Sequence, residues 1–342
     1  MRSRTASMTL GSIFAALVAG LALLVGAPAT QAQQGGAQVT IDELAAAVIR
    51  IRTHINPEGR SIPTLGTERS GSGIVIGTDG LILTIGYLML EAHAAEVVTN
   101  DGRTIAADVV GYDHETGFGL LKASASLGVK PIVFGKSAEL RVRDPVLVAS
   151  FGGPEMVAAV RVVAKREFAG SWEYLLDEAI FTSPPHPAWS GAALINREGR
   201  LVGVGSLVVA RTLADGEGEP GNMFVPIDRL GPILAELIAD GRSQGPAKPW
   251  LGLTTEEVRG QLLVSRVVPA SPAEKAGVQK GDIVVGVGGA RARNLADFYR
   301  QVWARGSAGA TIPLDVQQNS ETRRIDIPSM DRMDHLKLKS TF

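Results

Sequence analysis

The chain contains no cysteine among its 342 residues, and this absence removes several chemistries at once. Disulfides, thiolate nucleophiles and cysteine-ligated zinc sites are all excluded. The histidines are scattered without the spacing of a metal site; they are His54, His93, His114, His186 and His335. We therefore predict no bound metal ion and no cofactor, and a fold that is held together by core burial alone.

An excess of charge of one sign is also lacking, with 34 Lys+Arg against 35 Asp+Glu. No basic block stands out, so the sequence does not favour a nucleic-acid partner. Aromatic residues make up only 5% of the chain, whereas glycine occurs 40 times, a composition that suits turn-rich β structure. The length allows two or three domains with sizeable cores.

The first 32 residues have the pattern of an export signal. Arg2 and Arg4 form a positive start, an apolar run extends over about 10–25, and small residues over 27–32 supply a cleavage site. We predict that residues 1–32 are a signal peptide and that the mature protein is periplasmic or secreted. The alternative is an uncleaved membrane anchor, because the apolar run approaches the length of a spanning helix.

Short β-like runs follow one another from residue 71 to about 225. They are separated by turns such as Thr78-Asp79-Gly80 and Asn100-Asp101-Gly102, which are good hairpin connections. Many short strands at this spacing predict a sandwich or barrels rather than a parallel sheet.

Two helices are predicted on either side of this β region. Thr40 and Glu43 form a capping box that opens a helix to about Ile51, and a polar loop follows over 54–70. An apolar stripe predicts a second helix over 226–241.

A second unit begins at Trp250, after a short Gly- and Pro-containing linker over 242–249. Ser271-Pro272-Ala273-Glu274 has the N-cap, proline and acid of a helix start, and Asn294 caps a further helix. The apolar residues of that helix recur at helical spacing, and they are Leu295, Phe298, Tyr299, Val302 and Trp303. Core packing explains at least half of this stripe, and the rest could rim a groove.

Ser190 is the candidate nucleophile. It lies in Ala188-Trp189-Ser190-Gly191, which is similar to the nucleophile loop of a trypsin-like protease. A hydroxyl is a weak nucleophile at neutral pH, so it must pass its proton to a neighbouring base.

These segments together resemble the HtrA (DegP-like) family of envelope proteases, over about residues 38–330. Their order and spacing carry the resemblance, which rests on Gly71–Ile76, Asp79–Thr84, Asp101–Arg103, Asp113–Lys122, Ser190-Gly191, Pro226–Asp228, Trp250–Leu253 and Ser271–Asp282. The resemblance implies a mostly β fold: a trypsin-like double β-barrel over 38–241 and, after the linker, an α+β PDZ domain over 250–330. Residues 331–342 form a tail.

The same resemblance implies a degenerate catalytic triad. The family's serine falls on Ser190, but its histidine falls on Tyr87 and its aspartate on Gly117. A tyrosine with a pKa of about 10 is only about 0.1% ionised at pH 7, so it is a poor general base. Ala188 replaces a glycine of the nucleophile loop, which argues against a preformed oxyanion hole. His186 and His93 are the alternative bases for a rearranged dyad.

PDZ domains take a C-terminal peptide as an added strand and hold its carboxylate on backbone N–H groups of a loop. The resemblance places that loop at Leu251, Gly252 and Leu253, and the facing wall at Leu295, Phe298, Tyr299 and Val302. Polypeptide segments or protein C-termini are therefore the predicted partners. The alternative is a PDZ fold that is used only for packing.

The leading hypothesis is an exported HtrA-like pseudoprotease that binds peptides as an adaptor, chaperone or regulator. One alternative is an active serine endopeptidase that uses Ser190 with a non-standard base. Another is a structural subunit of a mixed oligomer with an active homologue. The expected protein partners also include copies of the chain itself or HtrA-like proteins, in a homo- or hetero-oligomer.

Overall fold

The structure is a computed structural model that describes residues 39–214 and 216–338. The predicted signal peptide over 1–32 lies outside the described residues. Within the described ranges, no helix is both long and apolar enough to span a bilayer.

The first six strands form a closed barrel in the order β1-β2-β3-β6-β5-β4. Its interior is apolar, with Ile49, Ile51, Ile82 and Leu121 completely buried, because alternate residues of each strand face inward. The strands are β1 (Val48–Ile55), β2 (Glu68–Val75), β3 (Leu81–Ile85), β4 (Ala92–Val98), β5 (Thr104–Tyr112) and β6 (Phe118–Ala123).

A second closed barrel follows, in the order β10-β11-β12-β9-β8-β7. Two of its strands, β8 and β9, are long and form a hairpin whose turn lies at residues 171–173. The strands are β7 (Pro145–Ala149), β8 (Val157–Gly170), β9 (Tyr174–Ser183), β10 (Ala193–Ile195), β11 (Leu201–Val209) and β12 (Gly221–Pro226).

One hydrophobic cluster joins the two barrels. It includes Leu83 and Phe118 from the first barrel and Phe181 and Val204 from the second, all completely buried. The prediction of a trypsin-like double barrel is confirmed, and the space between the barrels positions the candidate site.

The remaining strands form an antiparallel sheet in the order β13-β14-β15-β17-β18, with β16 paired to β15. The strands are β13 (Leu253–Val258), β14 (Gln261–Val267), β15 (Ile283–Val287), β16 (Ala290–Arg291), β17 (Thr311–Gln318) and β18 (Glu321–Pro328). The α-helices of the described residues are α1 (Ile41–Ala46), α2 (Ile62–Leu65), α3 (Leu234–Asp240), α4 (Pro272–Lys275), α5 (Leu295–Trp303) and α6 (Arg332–His335). The sheet and helices give the predicted PDZ architecture.

The predicted caps of α1, α4 and α5 are confirmed. The Thr40 hydroxyl accepts the Glu43 N–H in a complete capping box, the Ser271 hydroxyl accepts the Glu274 N–H, and the Asn294 side chain caps α5. These local signals need no tertiary context, since each bond joins residues three apart.

Three predicted boundaries are wrong. The first helix ends at Ala46 rather than Ile51, because the β-branched residues that follow pack inside the first barrel as β1. The predicted loop over 54–70 contains α2 and the start of β2. The predicted helix over 226–241 begins only at Leu234, after a strand end and a 3₁₀ turn.

Candidate functional site

Ser190 and Tyr87 meet where the two barrels join. The Tyr87 Oη lies 2.8 Å from Ser190 Oγ and 2.9 Å from the carbonyl oxygen of Ser206. A tyrosine has one hydroxyl hydrogen and a carbonyl oxygen can only accept. When both bonds form, Tyr87 therefore donates to Ser206 and Ser190 donates to Tyr87.

Tyr87 is a neutral neighbour of the serine rather than a base. Burial raises the pKa of Tyr87 to about 12, and hydrogen bonds with Ser190 and Trp189 oppose that rise only in part. At pH 7 such a phenol is ionised to only about one part in 10⁵. A neutral phenol at this distance can hold the Ser190 hydroxyl in place through a hydrogen bond.

Gly117 occupies a tight turn just before β6. Its φ is +82°, and a side chain there would start 3.3 Å from the Tyr174 hydroxyl. Its carbonyl oxygen accepts the Gly86 N–H at 2.7 Å. The Tyr174 hydroxyl itself donates to the Thr116 carbonyl oxygen at 2.7 Å. The backbone here suits glycine, and the space beside it is already filled by an aromatic ring.

The two alternative bases are placed elsewhere. His186 is buried. Its ring Nδ1 accepts the Ala188 N–H at 3.2 Å, and its backbone N–H donates to Asn222 Oδ1 at 2.6 Å. His93 is exposed on β4. Among the hydrogen bonds of the described residues, neither histidine reaches Ser190.

The loop around the serine is held by backbone contacts. Gly191 has φ +72°, and a Cβ there would lie 2.0 Å from the Ser72 carbonyl oxygen, so only glycine fits. The Ser72 N–H donates to the Ser190 carbonyl oxygen at 2.8 Å. The N–H of Ala188 already donates to the ring of His186, so this amide is not free for a substrate oxyanion.

The second candidate site is the loop before β13. The backbone N–H groups of Leu251, Gly252 and Leu253 converge on the carboxylate of Glu173, at 2.9, 2.7 and 2.9 Å. Gly252 has φ +85°, a conformation that suits glycine at this close approach. The loop thus has the geometry of a carboxylate-binding site, and a carboxylate from the second barrel lies in it.

The predicted facing wall also lies at this site. Leu295, Phe298, Tyr299 and Val302 are all buried on α5. The Tyr299 hydroxyl donates to the Gly170 carbonyl oxygen at 2.7 Å, so the wall contacts the β8–β9 hairpin as well as its own core.

Two parts of the chain match known domain families. Residues 71–204 match the trypsin-like peptidase domain, and residues 249–328 match the PDZ domain. The chain therefore has a trypsin-like peptidase domain followed by a PDZ domain, which is the domain order that the resemblance to the HtrA family implied.

Curated relatives of this HtrA-like chain are named as proteases. Serine protease PepD of Mycobacterium tuberculosis is 28% identical over 86% of this chain and 65% of its own length. A probable periplasmic serine endoprotease, DegP-like, of Marinomonas sp. is 33% identical over 67% of this chain and 50% of its own length. The chain thus spans about half to two thirds of the length of these relatives.

Solved structures show the same fold. A variant of the HtrA-type protease AlgW, solved with a tripeptide, superimposes with a TM-score of 0.51 at 19% identity. The match covers 86% of this HtrA-like chain and 98% of the AlgW chain.

Sequence reasoning missed Glu173 at this site. It lies in the turn of a hairpin, about 80 residues before the loop it contacts, and no motif marks it. Its positive φ of 59° is also invisible in the sequence. Only the folded β8–β9 hairpin brings the carboxylate to the loop.

Proposed function

We propose that this HtrA-like chain is an exported pseudoprotease, which binds unfolded segments or protein C-termini as an adaptor, chaperone or regulator. The observation that carries the proposal is the partner of Ser190 Oγ, the hydroxyl of Tyr87, which lies 2.8 Å away and whose pKa is raised to about 12. The names of the periplasmic relatives support export, in agreement with the predicted signal peptide.

The loss of the base is large enough to abolish useful catalysis. Removing the nucleophile or the base of a serine protease triad costs about 10⁶-fold in turnover, as the subtilisin example shows. At about 1.4 kcal/mol per decade, this is roughly 8 kcal/mol of barrier. Gly117 offers no carboxylate to orient a base, and Ala188 offers no free amide to an oxyanion. These three departures all act against turnover.

The binding half of the proposal rests on the loop at residues 251–253. Three convergent N–H groups there hold a carboxylate at 2.7–2.9 Å, which is the interaction that a peptide C-terminus would make. Strand β13 and helix α5 flank the loop, so an extended segment can add to the sheet edge beside it.

The proposal is tested with the full mature chain. We expect no cleavage of casein and no labelling of Ser190 by a fluorophosphonate, in parallel with an active HtrA protease as the positive control. We also expect measurable binding of peptides that end in an apolar residue with a free carboxylate.

Stoichiometric labelling that disappears in Ser190→Ala would instead establish an active serine endopeptidase with a non-standard base. The peptide-binding role is wrong if no free-carboxylate peptide binds to the wild type or to variants that lack the Glu173 carboxylate.

A further inference from the structure

The turn of the β8–β9 hairpin lies in the groove between β13 and α5. The Leu253 N–H donates to the Glu173 carboxylate at 2.9 Å, and the Thr255 N–H donates to the Ser171 carbonyl oxygen at 2.8 Å. Moving two residues along β13 thus moves two residues back along the hairpin. The two contacts run in the order of an antiparallel pair: one is a main-chain bond, and the other joins a main-chain N–H to a side-chain carboxylate.

These contacts are similar to those of a peptide that adds to a sheet edge. In β-strand addition, main-chain hydrogen bonds give affinity, and a loop of N–H groups captures the terminal carboxylate. Here Glu173 supplies the carboxylate from its side chain, and Ser171 supplies the main-chain acceptor two residues earlier. The chain continues into β9 after Glu173, so no free C-terminus is involved.

Helix α5 contacts the hairpin from the opposite side. The Tyr299 hydroxyl donates to the Gly170 carbonyl oxygen at 2.7 Å and accepts the Glu173 N–H at 3.1 Å. Arg300 forms ion pairs with Glu167 on β8 and with Asp177 on β9. One helix therefore binds both strands of the hairpin.

Apolar contacts complete the docking. Ala169 and Leu175, on the two sides of the turn, pack against the hydrophobic core of the PDZ unit. Glu173 is only 5% exposed, so the three N–H groups replace water as the hydrogen-bond donors to its carboxylate. A charged side chain buried in this way is stabilised only while those donors remain in place.

We propose that the β8–β9 hairpin is an internal ligand of the PDZ groove, in which the Glu173 carboxylate takes the place of a peptide's C-terminal carboxylate. A C-terminal peptide then binds only by displacing the hairpin. This inference rests on the proposed function, since it concerns how access to the same peptide site is controlled.

The intramolecular contact has a concentration advantage over any free peptide. A tethered group has an effective concentration in the millimolar range, so a peptide must exceed that competition to occupy the loop. Removing the Glu173 carboxylate removes the competitor and leaves the N–H groups of the loop intact. Peptide affinity is therefore expected to rise, not fall.

The experiment measures peptide affinity of the full mature chain by fluorescence anisotropy. The probe is a fluorescein-labelled glycine-serine peptide that ends in Ala-Val-Leu with a free carboxylate, and its C-terminal amide is the second probe. Glu173→Gln keeps the side-chain volume but presents an amide to the three donors. Glu173→Gly removes the side chain at a backbone position, φ +59°, that glycine adopts without strain.

Both variants are expected to bind the carboxylate probe at least about tenfold more tightly than wild type, and the amide probe no better. Tyr299→Phe, which loses two hydrogen bonds to the hairpin, is expected to give a smaller gain. Glu178→Gln is the matched control, because Glu178 lies on the same hairpin but pairs with Lys165 of that hairpin. Its affinity should equal that of wild type.

Hydrogen exchange supplies a second readout that does not depend on any peptide. In wild type the amides of residues 251–253 should exchange slowly, and in Glu173→Gly they should exchange faster. Equal peptide affinity in wild type and both Glu173 variants would overturn the internal ligand while leaving peptide binding in place. If the amides of Glu173→Gly exchange faster but the variant does not bind the carboxylate probe, both the internal ligand and the peptide-binding role are wrong. If exchange in Glu173→Gly is unchanged, the internal ligand is wrong.

Discussion

Replacing Tyr87 by phenylalanine tests whether this residue holds the fold rather than serving catalysis. The variant keeps the ring but loses the contacts at 2.8 Å with Ser190 Oγ and at 2.9 Å with the Ser206 carbonyl oxygen. Ser206 is only 4% exposed, so its carbonyl has little access to a replacement water. Net losses of about 0.5–1.5 kcal/mol per hydrogen bond predict a destabilisation of about 1–2 kcal/mol for this half-buried pair.

The assay is thermal unfolding followed by circular dichroism. A loss of that size predicts a Tm lower by roughly 2–8 °C, given about 2–4 °C per kcal/mol for domains of about 200 residues. Ser190→Ala removes only one of the two contacts and should cost less. The double variant should show a coupling between the two sites of about 0.5 kcal/mol or more.

Two results would refute this reasoning. A Tyr87→Phe variant as stable as wild type would mean that neither hydrogen bond contributes to the fold. Strict additivity in the double-mutant cycle would mean that the two hydroxyls do not interact.

Three further predictions concern other parts of the chain. Tyr87→His combined with Gly117→Asp should not restore casein cleavage, because residue 117 has φ +82° and its side chain would meet Tyr174; cleavage at a measurable rate would contradict this. Gly191→Ala should destabilise the fold by about 2 kcal/mol or more, visible as a lower Tm, since the new Cβ lies 2.0 Å from a carbonyl oxygen. Burial, together with Arg60, lowers the pKa of His335 to about 4. The unfolded chain therefore binds the proton first, so stability should be unaffected above pH 6.5 and should fall between pH 6.5 and about 4. After allowance for solvent screening, the free energy of unfolding should fall by on the order of 1–2 kcal/mol. Urea titrations measure this loss, which should be smaller in His335→Gln.

Local patterns in the sequence predicted the fold well. The caps at Thr40, Ser271 and Asn294 depend on bonds between residues three apart, so the sequence alone reveals them. Short β-like runs and Gly-containing turns predicted a sandwich or barrels, and the family resemblance implied the double barrel. The boundaries that failed, at Ala46 and Leu234, lie where pairing with distant strands overrides helix propensity.

The catalytic position was predictable only as a set of residue types. The family resemblance put tyrosine and glycine at the histidine and aspartate positions, but it could not show that Tyr87 Oη bonds to a second-barrel carbonyl. Nor could it show that the ring nitrogen of His186 is occupied by the Ala188 N–H. Both facts depend on how the two barrels and one loop come together in space.

The groove between β13 and α5 shows most clearly what the sequence alone does not predict. The PDZ resemblance identified the loop and the helix of this groove, but it did not identify the residue that now occupies it. Glu173 belongs to a different domain from the loop it contacts, and the bond between them joins residues 79 positions apart. A chemical role of this kind is set by tertiary structure, so single-sequence patterns do not record it.

The bond from Tyr87 to Ser206 also connects one barrel to the other, because Tyr87 follows β3 and Ser206 belongs to β11. A mutation that introduced an imidazole at residue 87 would supply a base, but it would also remove the hydrogen bond to Ser206. A histidine at residue 87 would therefore come with a weaker barrel interface, and stabilising contacts elsewhere in the shared core would have to compensate for the lost bond.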